Sequence, residues 1–197
     1  MSVEEVVSVA LRDMPFYRRS GGGVTVGGGE PTSQPAFALA LLASLSGHGI
    51  DSAIETCGYA DPESFLSIAM AVRYIYFDIK HPVPERHHDL TGVKNELILR
   101  NLSSILEQHD DVTVRYPLVP DCNDHPRDIH ALAQLLRQLP RTPALEIVPY
   151  HRYGEHKYRL LQRHYGLAGL APPSVHHVAN VQLTLQHHGI ACRVLSH

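Results

Sequence analysis

Cysteine is scarce in this chain of 197 residues: there are three, Cys57, Cys122 and Cys192, far apart in the sequence and without a CxxC pair. A disulfide framework is therefore not expected. Positive charge is not in excess either. Seventeen Lys and Arg against 20 Asp and Glu give a formal net charge of −3, which argues against a nucleic-acid partner.

Long apolar runs are also missing. No segment reaches the roughly 18 apolar residues that a membrane-spanning helix needs. The first residues, MSVEEVVSVALRD, carry acidic side chains where a secretory leader would be basic. We therefore expect no membrane partner and a cytoplasmic location. The composition, 44% hydrophobic and 19% charged, is typical of a globular protein, and the length suits one domain over residues 1–197.

Histidine, by contrast, is abundant: there are 15, several in adjacent pairs such as His87-His88 and His176-His177. Neighbouring side chains point to different faces of a helix and rarely bind one metal ion together. Solvated surface histidines are the interpretation we favour, and a divalent-metal site is the alternative.

Strand-like and helix-like segments alternate along the chain. The pattern predicts helices at residues 3–12 and from about Pro35, Pro62, Asn95 and Pro126. It predicts strands near 23–26, 52–56, 74–78, 111–116 and 145–149. This alternation indicates an α/β fold built from right-handed βαβ units on a parallel sheet. From about Ser174, one more helix and a strand, IACRVL, are expected to add to the sheet edge.

The first predicted strand lies between two glycine triplets, in GGGVTVGGGEP at residues 21–31. No GK[ST] follows, so this is not a Walker loop, and no helix starts on the glycines as in a dinucleotide-binding fingerprint. Glycine allows a ligand to approach the backbone closely. The carboxylate of Glu30 disfavours phosphate and favours a ligand with an ammonium group, such as an amino acid moiety. The alternative is a glycine-rich turn with a solvated Glu30.

Five segments carry a resemblance to a known family: GGGVTVGGGEP, ETCGY, YFDIKHPVPERHHDLTGVKNELILRNL, VRYPLVPDCND and IVPYHRYGEHKYRLL, in this order. Together they resemble the glycyl-radical-enzyme activating enzymes, radical S-adenosylmethionine (SAM) proteins typified by pyruvate formate-lyase activating enzyme. The similarity runs from about Ser2 to Tyr165. It implies a partial (β/α) barrel with parallel strands, a core of about residues 1–165 and a C-terminal helix and strand extension over 166–197.

The resemblance assigns SAM-binding roles to residues at the first two strand ends. Gly28, Gly29 and Glu30 match the family's GGE motif, where backbone and carboxylate hold the amino group of SAM. Glu55 and Thr56 match the motif of the next strand end, which helps to place SAM.

Further residues are assigned in the same way. Asp78 and Lys80 match a DxK motif: Asp78 would hold a monovalent cation together with Glu55, and Lys80 would lie near the SAM carboxylate or the target peptide. Arg115 and His151 match residues that orient or contact SAM. Alternatives remain open: Asp78 and Lys80 share a strand face and would then simply pair with each other, Arg115 would be an ordinary strand-end residue, and His151 a turn histidine.

The sequence also departs from the family pattern. The family holds a [4Fe–4S] cluster in a CxxxCxxC loop and reduces SAM to methionine and a 5′-deoxyadenosyl radical, which takes hydrogen from a glycine of the partner enzyme. No such spacing occurs here, and that loop and the family's first strand would precede Met1. We expect no catalytic residue and no cluster in this chain, and no SAM cleavage by it alone. Gly27 stands where the family usually has Ser.

Two origins fit these departures, a truncated activating enzyme and a natural remnant. A missing first strand would expose a sheet edge, which predicts self-association through that edge or aggregation. Three functions stay open: an activating enzyme with a glycyl radical enzyme as partner, a non-catalytic SAM-binding or partner-binding module, and a histidine-based metalloprotein. Cys57 and Cys122 are expected to be structural.

Overall fold

The computed structural model describes residues 1–195. The strands are β1 Gly23–Val26, β2 Asp51–Thr56, β3 Tyr74–Asp78, β4 Val112–Leu118, β5 Ala144–Pro149 and β6 Cys192–Val194. The first helices are α1 Val3–Ala10, α2 Met14–Ser20, α3 Pro35–Gly47, α4 Pro62–Ala69 and α5 Pro84–Thr91. The remaining helices are α6 Glu96–Gln108, α7 Pro126–Gln138, α8 Gly154–Leu160 and α9 Val175–His187.

All six strands form one parallel sheet in sequence order, from β1 at one edge to β6 at the other. The predicted α/β fold with parallel strands is confirmed, as is the C-terminal strand at the sheet edge. β4 runs to Leu118, two residues beyond its predicted end at 116, and helices α2, α5 and α8 were not predicted. The first helix ends at Ala10 and continues as a 3-10 turn over Leu11–Asp13.

Side chains alternate across the sheet, and this alternation separates the core from the open face. In β4, Val112, Val114, Tyr116 and Leu118 are buried, whereas the residues between them, Arg115 included, are half-buried. Successive side chains of a strand point to opposite faces. The helices pack on the apolar face, so the polar side chains of the strands lie together on the other one.

Proline fixes the start of the helices that follow strands β1, β2, β3 and β4. Pro35, Pro62, Pro84 and Pro126 lie in the first turn of α3, α4, α5 and α7. Proline has no N–H to lose there, and its φ already suits a helix. The loops at the carboxyl ends of these strands are therefore bounded on one side by a strand and on the other by a fixed helix start.

A second apolar cluster supports the β1 side of the sheet. Val7 and Ala10 of α1 pack with Leu41 and Leu45 of α3, and Val24 of β1 lies against them. Within residues 1–195, no helix is long and apolar enough to cross a membrane.

Candidate functional site

A cavity of about 340 Å³ opens at the carboxyl ends of β1, β2 and β3. Its lining consists of Gly28, Gly29, Glu30, Glu55, Thr56, Cys57, Asp78 and Lys80. All the residues predicted to bind the ligand therefore line one cavity, except Arg115 and His151. The physical reason is that adjacent parallel strands end at the same edge of the sheet, so residues far apart in sequence meet there.

Glu30 is held rigidly at the mouth of this cavity. Its Oε1 accepts hydrogen bonds from the hydroxyls of Thr56 at 2.7 Å and Thr32 at 2.8 Å, and from the Thr32 N–H at 3.2 Å. Its Oε2 accepts the N–H of Cys57 at 2.8 Å. Burial opposes ionisation of Glu30, but these donors outweigh it and hold the pKa of the carboxyl below its ordinary value. The cavity therefore contains a fixed negative charge, and the alternative of a solvated Glu30 is wrong.

Glycine shapes the backbone that leads to Glu30. Gly28 has a φ of +114°, in the region that side chains disfavour. At Gly27, an added Cβ would lie 3.1 Å from Oε2 of Glu55. A serine at this position would require the flexible end of the Glu55 side chain to shift slightly, so Gly27 leaves the Glu55 carboxylate more room beside the glycine loop.

Asp78 and Lys80 form an ion pair on the β3 side of the cavity, with 2.5 Å between Lys80 Nζ and Asp78 Oδ2. The mutual pairing that the sequence left open is therefore present. Both side chains remain partly exposed, at 31% and 38%, and both line the cavity. The Lys80 ammonium thus carries its charge at the cavity surface, two residues beyond the end of β3.

Arg115 lies beside the cavity lining, on the open face of β4. Its Nη1 donates to Glu55 at 2.5 Å and its Nε donates to Glu146 at 2.8 Å, while its guanidinium stacks 3.8 Å from the Tyr76 ring centre. It is not an isolated strand-end residue. Burial works against its charged form, but Glu146 and Glu55 outweigh this and raise the pKa of Arg115 further.

Glu146 is the feature of this network that the sequence did not reveal. Its side chain is 1% exposed, and besides Arg115 it accepts hydrogen bonds from Arg193 of β6. Burial opposes its ionisation, but Arg193 and Arg115 outweigh it and lower the pKa of Glu146. One feature of the sequence could have indicated it: Glu146 is the single charged residue in the otherwise apolar strand segment ALEIVPY. A carboxylate buried in such a strand needs a cationic partner.

His151 lies in the loop between β5 and α8. Its Nδ1 accepts the N–H of Tyr153 at 3.2 Å, and the two rings are 4.4 Å apart. Among the described residues, those lining the cavity do not include His151. A contact between His151 and SAM therefore stays a prediction.

The cysteines do not fit a [4Fe–4S] cluster. Cys57 follows β2, Cys122 lies between β4 and α7, and Cys192 is in β6. Over residues 1–195 there is no group of three or more His, Cys, Asp or Glu side chains suited to a metal ion. Burial and the neighbouring Glu30 raise the pKa of the Cys57 thiol to about 11, opposite to what a thiolate ligand requires.

Comparison with known proteins agrees with the motif series. The family model of the Radical SAM superfamily matches residues 1–133. Over 179 residues the chain is 34% identical to the pyruvate formate-lyase-activating enzyme of Staphylococcus epidermidis, covering 88% of this chain and 71% of that protein. The chain belongs to the glycyl-radical-enzyme activating enzymes of the radical SAM superfamily. The resemblance predicted from the sequence is thereby confirmed.

Two further activating enzymes define the extent of the match. The choline trimethylamine-lyase activating enzyme of Oleidesulfovibrio alaskensis is 39% identical over 199 residues, which cover 100% of this chain but 64% of that protein. A crystal structure of a domain of pyruvate-formate lyase-activating enzyme from Bacteroides vulgatus superposes with a TM-score of 0.74 at 26% identity, covering 89% of this chain and 99% of that one. The chain therefore has the partial-barrel fold predicted for it.

Proposed function

We propose that this chain is the SAM-binding and partner-binding part of an activating enzyme that installs a glycyl radical on a partner glycyl radical enzyme. The observation that carries the proposal is the Glu30 arrangement: an ionised carboxylate, fixed by donors on two loops, at a cavity that also contains a lysine ammonium. A zwitterionic ligand needs an anion at one end and cations at the other.

In this proposal Glu30 and the backbone of Gly28 and Gly29 bind the amino group of SAM. Lys80 and Arg115 bind its carboxylate, and His151 contacts SAM from the loop after β5. Lys80 and Arg115 are already paired with Asp78 and Glu55. The carboxylate of SAM would therefore compete with Asp78 for Lys80 and with Glu55 for Arg115.

A monovalent cation is part of the same proposal. Glu55 and Asp78 line the cavity on adjacent strands. When Lys80 and Arg115 bind the carboxylate of SAM, a monovalent cation would bind between Glu55 and Asp78 and neutralise part of their negative charge. We expect potassium to strengthen SAM binding, and Glu55→Gln and Asp78→Asn to remove the potassium dependence.

Binding of SAM to the 197-residue chain tests the proposal by calorimetry. Replacement of Glu30 by Gln keeps the shape but removes the charge, and a hydrogen bond to a charged group contributes about 1.5–3 kcal/mol, so we expect affinity to fall at least about tenfold. Glu107→Gln is the matched control, because Glu107 is exposed near the end of α6. Absence of SAM binding, or equal binding by the two variants, would contradict the proposal.

The chemistry of the proposed activity requires a cluster that the three cysteines of this chain do not suit. We propose that the chain by itself does not cleave SAM, and that its partner docks over the strand ends around the cavity. Anaerobic iron–sulfur reconstitution, followed by an assay for 5′-deoxyadenosine, tests the first part, and clear turnover would refute it. SAM binding without turnover would also be the behaviour of the second candidate, a non-catalytic SAM-binding or partner-binding remnant.

A further inference from the structure

Three buried asparagines hold the loops at the carboxyl edge of the sheet. Asn95, Asn101 and Asn123 are 1%, 1% and 2% exposed. Asn101 donates its amide to two carbonyls in the loop after β2, and Asn95 donates to two carbonyls in the loop after β3. All three lie in the motif segments TGVKNELILRNL and VPDCND. The proposed ligand contacts give these residues no role, although they support the loops that carry those contacts.

Asn123 is the member of this group that is bonded to a cavity residue. Its Nδ2 donates to the carbonyl of Lys80 at 2.9 Å and to that of Pro117 at 2.7 Å. Its Oδ1 accepts the N–H of Val119 at 2.8 Å, and its backbone carbonyl accepts the Tyr116 hydroxyl at 2.7 Å. The side chain is thereby fixed on both sides, and it ties the end of β3 to the end of β4.

The pairing of β3 with β4 explains why the Asn123 side chain is needed where it lies. The N–H of Ile79 donates to the carbonyl of Arg115 at 2.9 Å. Further along β4, Pro117 has no N–H to offer to β3. The amide of Asn123 supplies two donors at this point, one to Pro117 in β4 and one to Lys80 just beyond β3, and so fixes the backbone position of Lys80 past the last strand-to-strand hydrogen bond.

We propose that Asn123 is a positioning residue for Lys80: it fixes the backbone from which the Lys80 side chain enters the cavity. The inference rests on the proposed function, in which Lys80 meets the carboxylate of SAM. Asn123 itself contacts carbonyls and an N–H of the two strand ends, so its effect on the ligand passes through Lys80.

Comparing the binding of two ligands distinguishes a positioning role of Asn123 from a general loss of stability. SAM and decarboxylated SAM differ by the carboxylate that Lys80 and Arg115 are proposed to bind. The ratio of their affinities measures both contacts, and the change of that ratio in Lys80→Ala measures the contribution of Lys80. A smaller folded fraction in a variant lowers both affinities equally and leaves the ratio unchanged. We expect the unmodified chain to prefer SAM, and Lys80→Ala to lose about tenfold of that preference, the size of one charge-assisted hydrogen bond.

Asn123→Ala and Asn123→Asp should lower the preference for SAM in the same direction as Lys80→Ala, since neither can donate to both carbonyls. In the Lys80→Ala background, Asn123→Ala should not change the ratio further, because the contact that it positions is already absent.

Arg141→Ala is the matched control. The Arg141 guanidinium also donates to backbone carbonyls, those of Leu106, His109 and Asp110, but at the amino ends of the strands. It should destabilise the fold without changing the preference for SAM. If the unmodified chain binds neither ligand, or binds both equally, the proposed function itself fails. If it prefers SAM and the Asn123 variants keep that preference, the proposed function stands and the positioning role is refuted.

Discussion

Gly58 follows Cys57, whose N–H donates to the Glu30 carboxylate, and its substitution tests the structure quantitatively. Its φ is +68°, and a Cβ added there would lie 2.3 Å from Cζ of Phe77, which is fully buried and packs edge-on against Phe65. A left-handed conformation costs a non-glycine residue about 1–2 kcal/mol. Overpacking a core costs about 1–3 kcal/mol more, so Gly58→Ala should lower the free energy of unfolding by about 2–5 kcal/mol.

Equilibrium unfolding in urea measures this loss, and Gly92→Ala is its control. Gly92 has a φ of +84° but nothing within 4 Å of an added Cβ, so its substitution should cost the conformational part alone, about 1–2 kcal/mol. The difference between the two variants isolates the contact with the Phe77 ring. Equal losses in Gly58→Ala and Gly92→Ala would refute the reasoning.

The same substitution should also weaken SAM binding. The N–H of Gly58 donates to the Thr56 hydroxyl at 2.9 Å, and that hydroxyl donates to Glu30. Displacement of the loop by the added methyl group therefore disturbs the donors that fix the Glu30 carboxylate. Calorimetry at a temperature where the variant is folded measures this effect.

Three further predictions concern charged groups. Glu146→Ala should lower the free energy of unfolding by about 1–3 kcal/mol in urea, since it removes one of the two carboxylates bonded to the partly buried Arg115, with Arg73→Ala as a surface comparison. Arg73 and Asp51 are half-exposed, at 53% and 45%, so Arg73→Ala should lower the free energy of unfolding much less than Glu146→Ala does, and its effect should vanish in high salt; an equal, salt-independent loss would contradict this. Glu30 has a lowered pKa in the fold, so it stabilises above its unfolded pKa of about 4.3, and this contribution is lost as the pH falls through the folded pKa. Unfolding measured between neutral and acid pH should therefore show a shallower decline for Glu30→Gln, and identical pH profiles would be evidence against it.

Local patterns predicted most of the fold, and the exceptions have physical causes. Helices α2, α5 and α8 have seven or eight residues each, about as many as the predicted helices α1 and α4, which have eight. The residues of α5 and α8, PERHHDLT and GEHKYRL, are mostly polar and therefore show no apolar repeat. The sequence pattern predicted a strand near 111–116, which left out Pro117 and Leu118. β4 continues to Leu118 because β5 pairs with it there and the Asn123 amide donates to the Pro117 carbonyl.

Much of the candidate site could also be predicted from the sequence, because the residues that line the cavity lie at or just after strand ends and belong to the family motifs. The sequence allowed the pairing of Asp78 with Lys80, two residues apart. It could not choose the partners of Arg115, since Glu146 and Glu55 are 31 and 60 residues away and come close through the register of neighbouring strands. It also assigned His151 to the ligand, although among the described residues the cavity lining leaves it out.

The sequence by itself therefore determined the order of strands and helices and the edge of the sheet where the polar groups gather. Side-chain period, proline and glycine act within a few residues, so they can be read along the chain. Only the tertiary structure decided which charges neutralise each other and which loops the buried asparagines hold. Those choices depend on distances between atoms of different strands, which no local pattern contains.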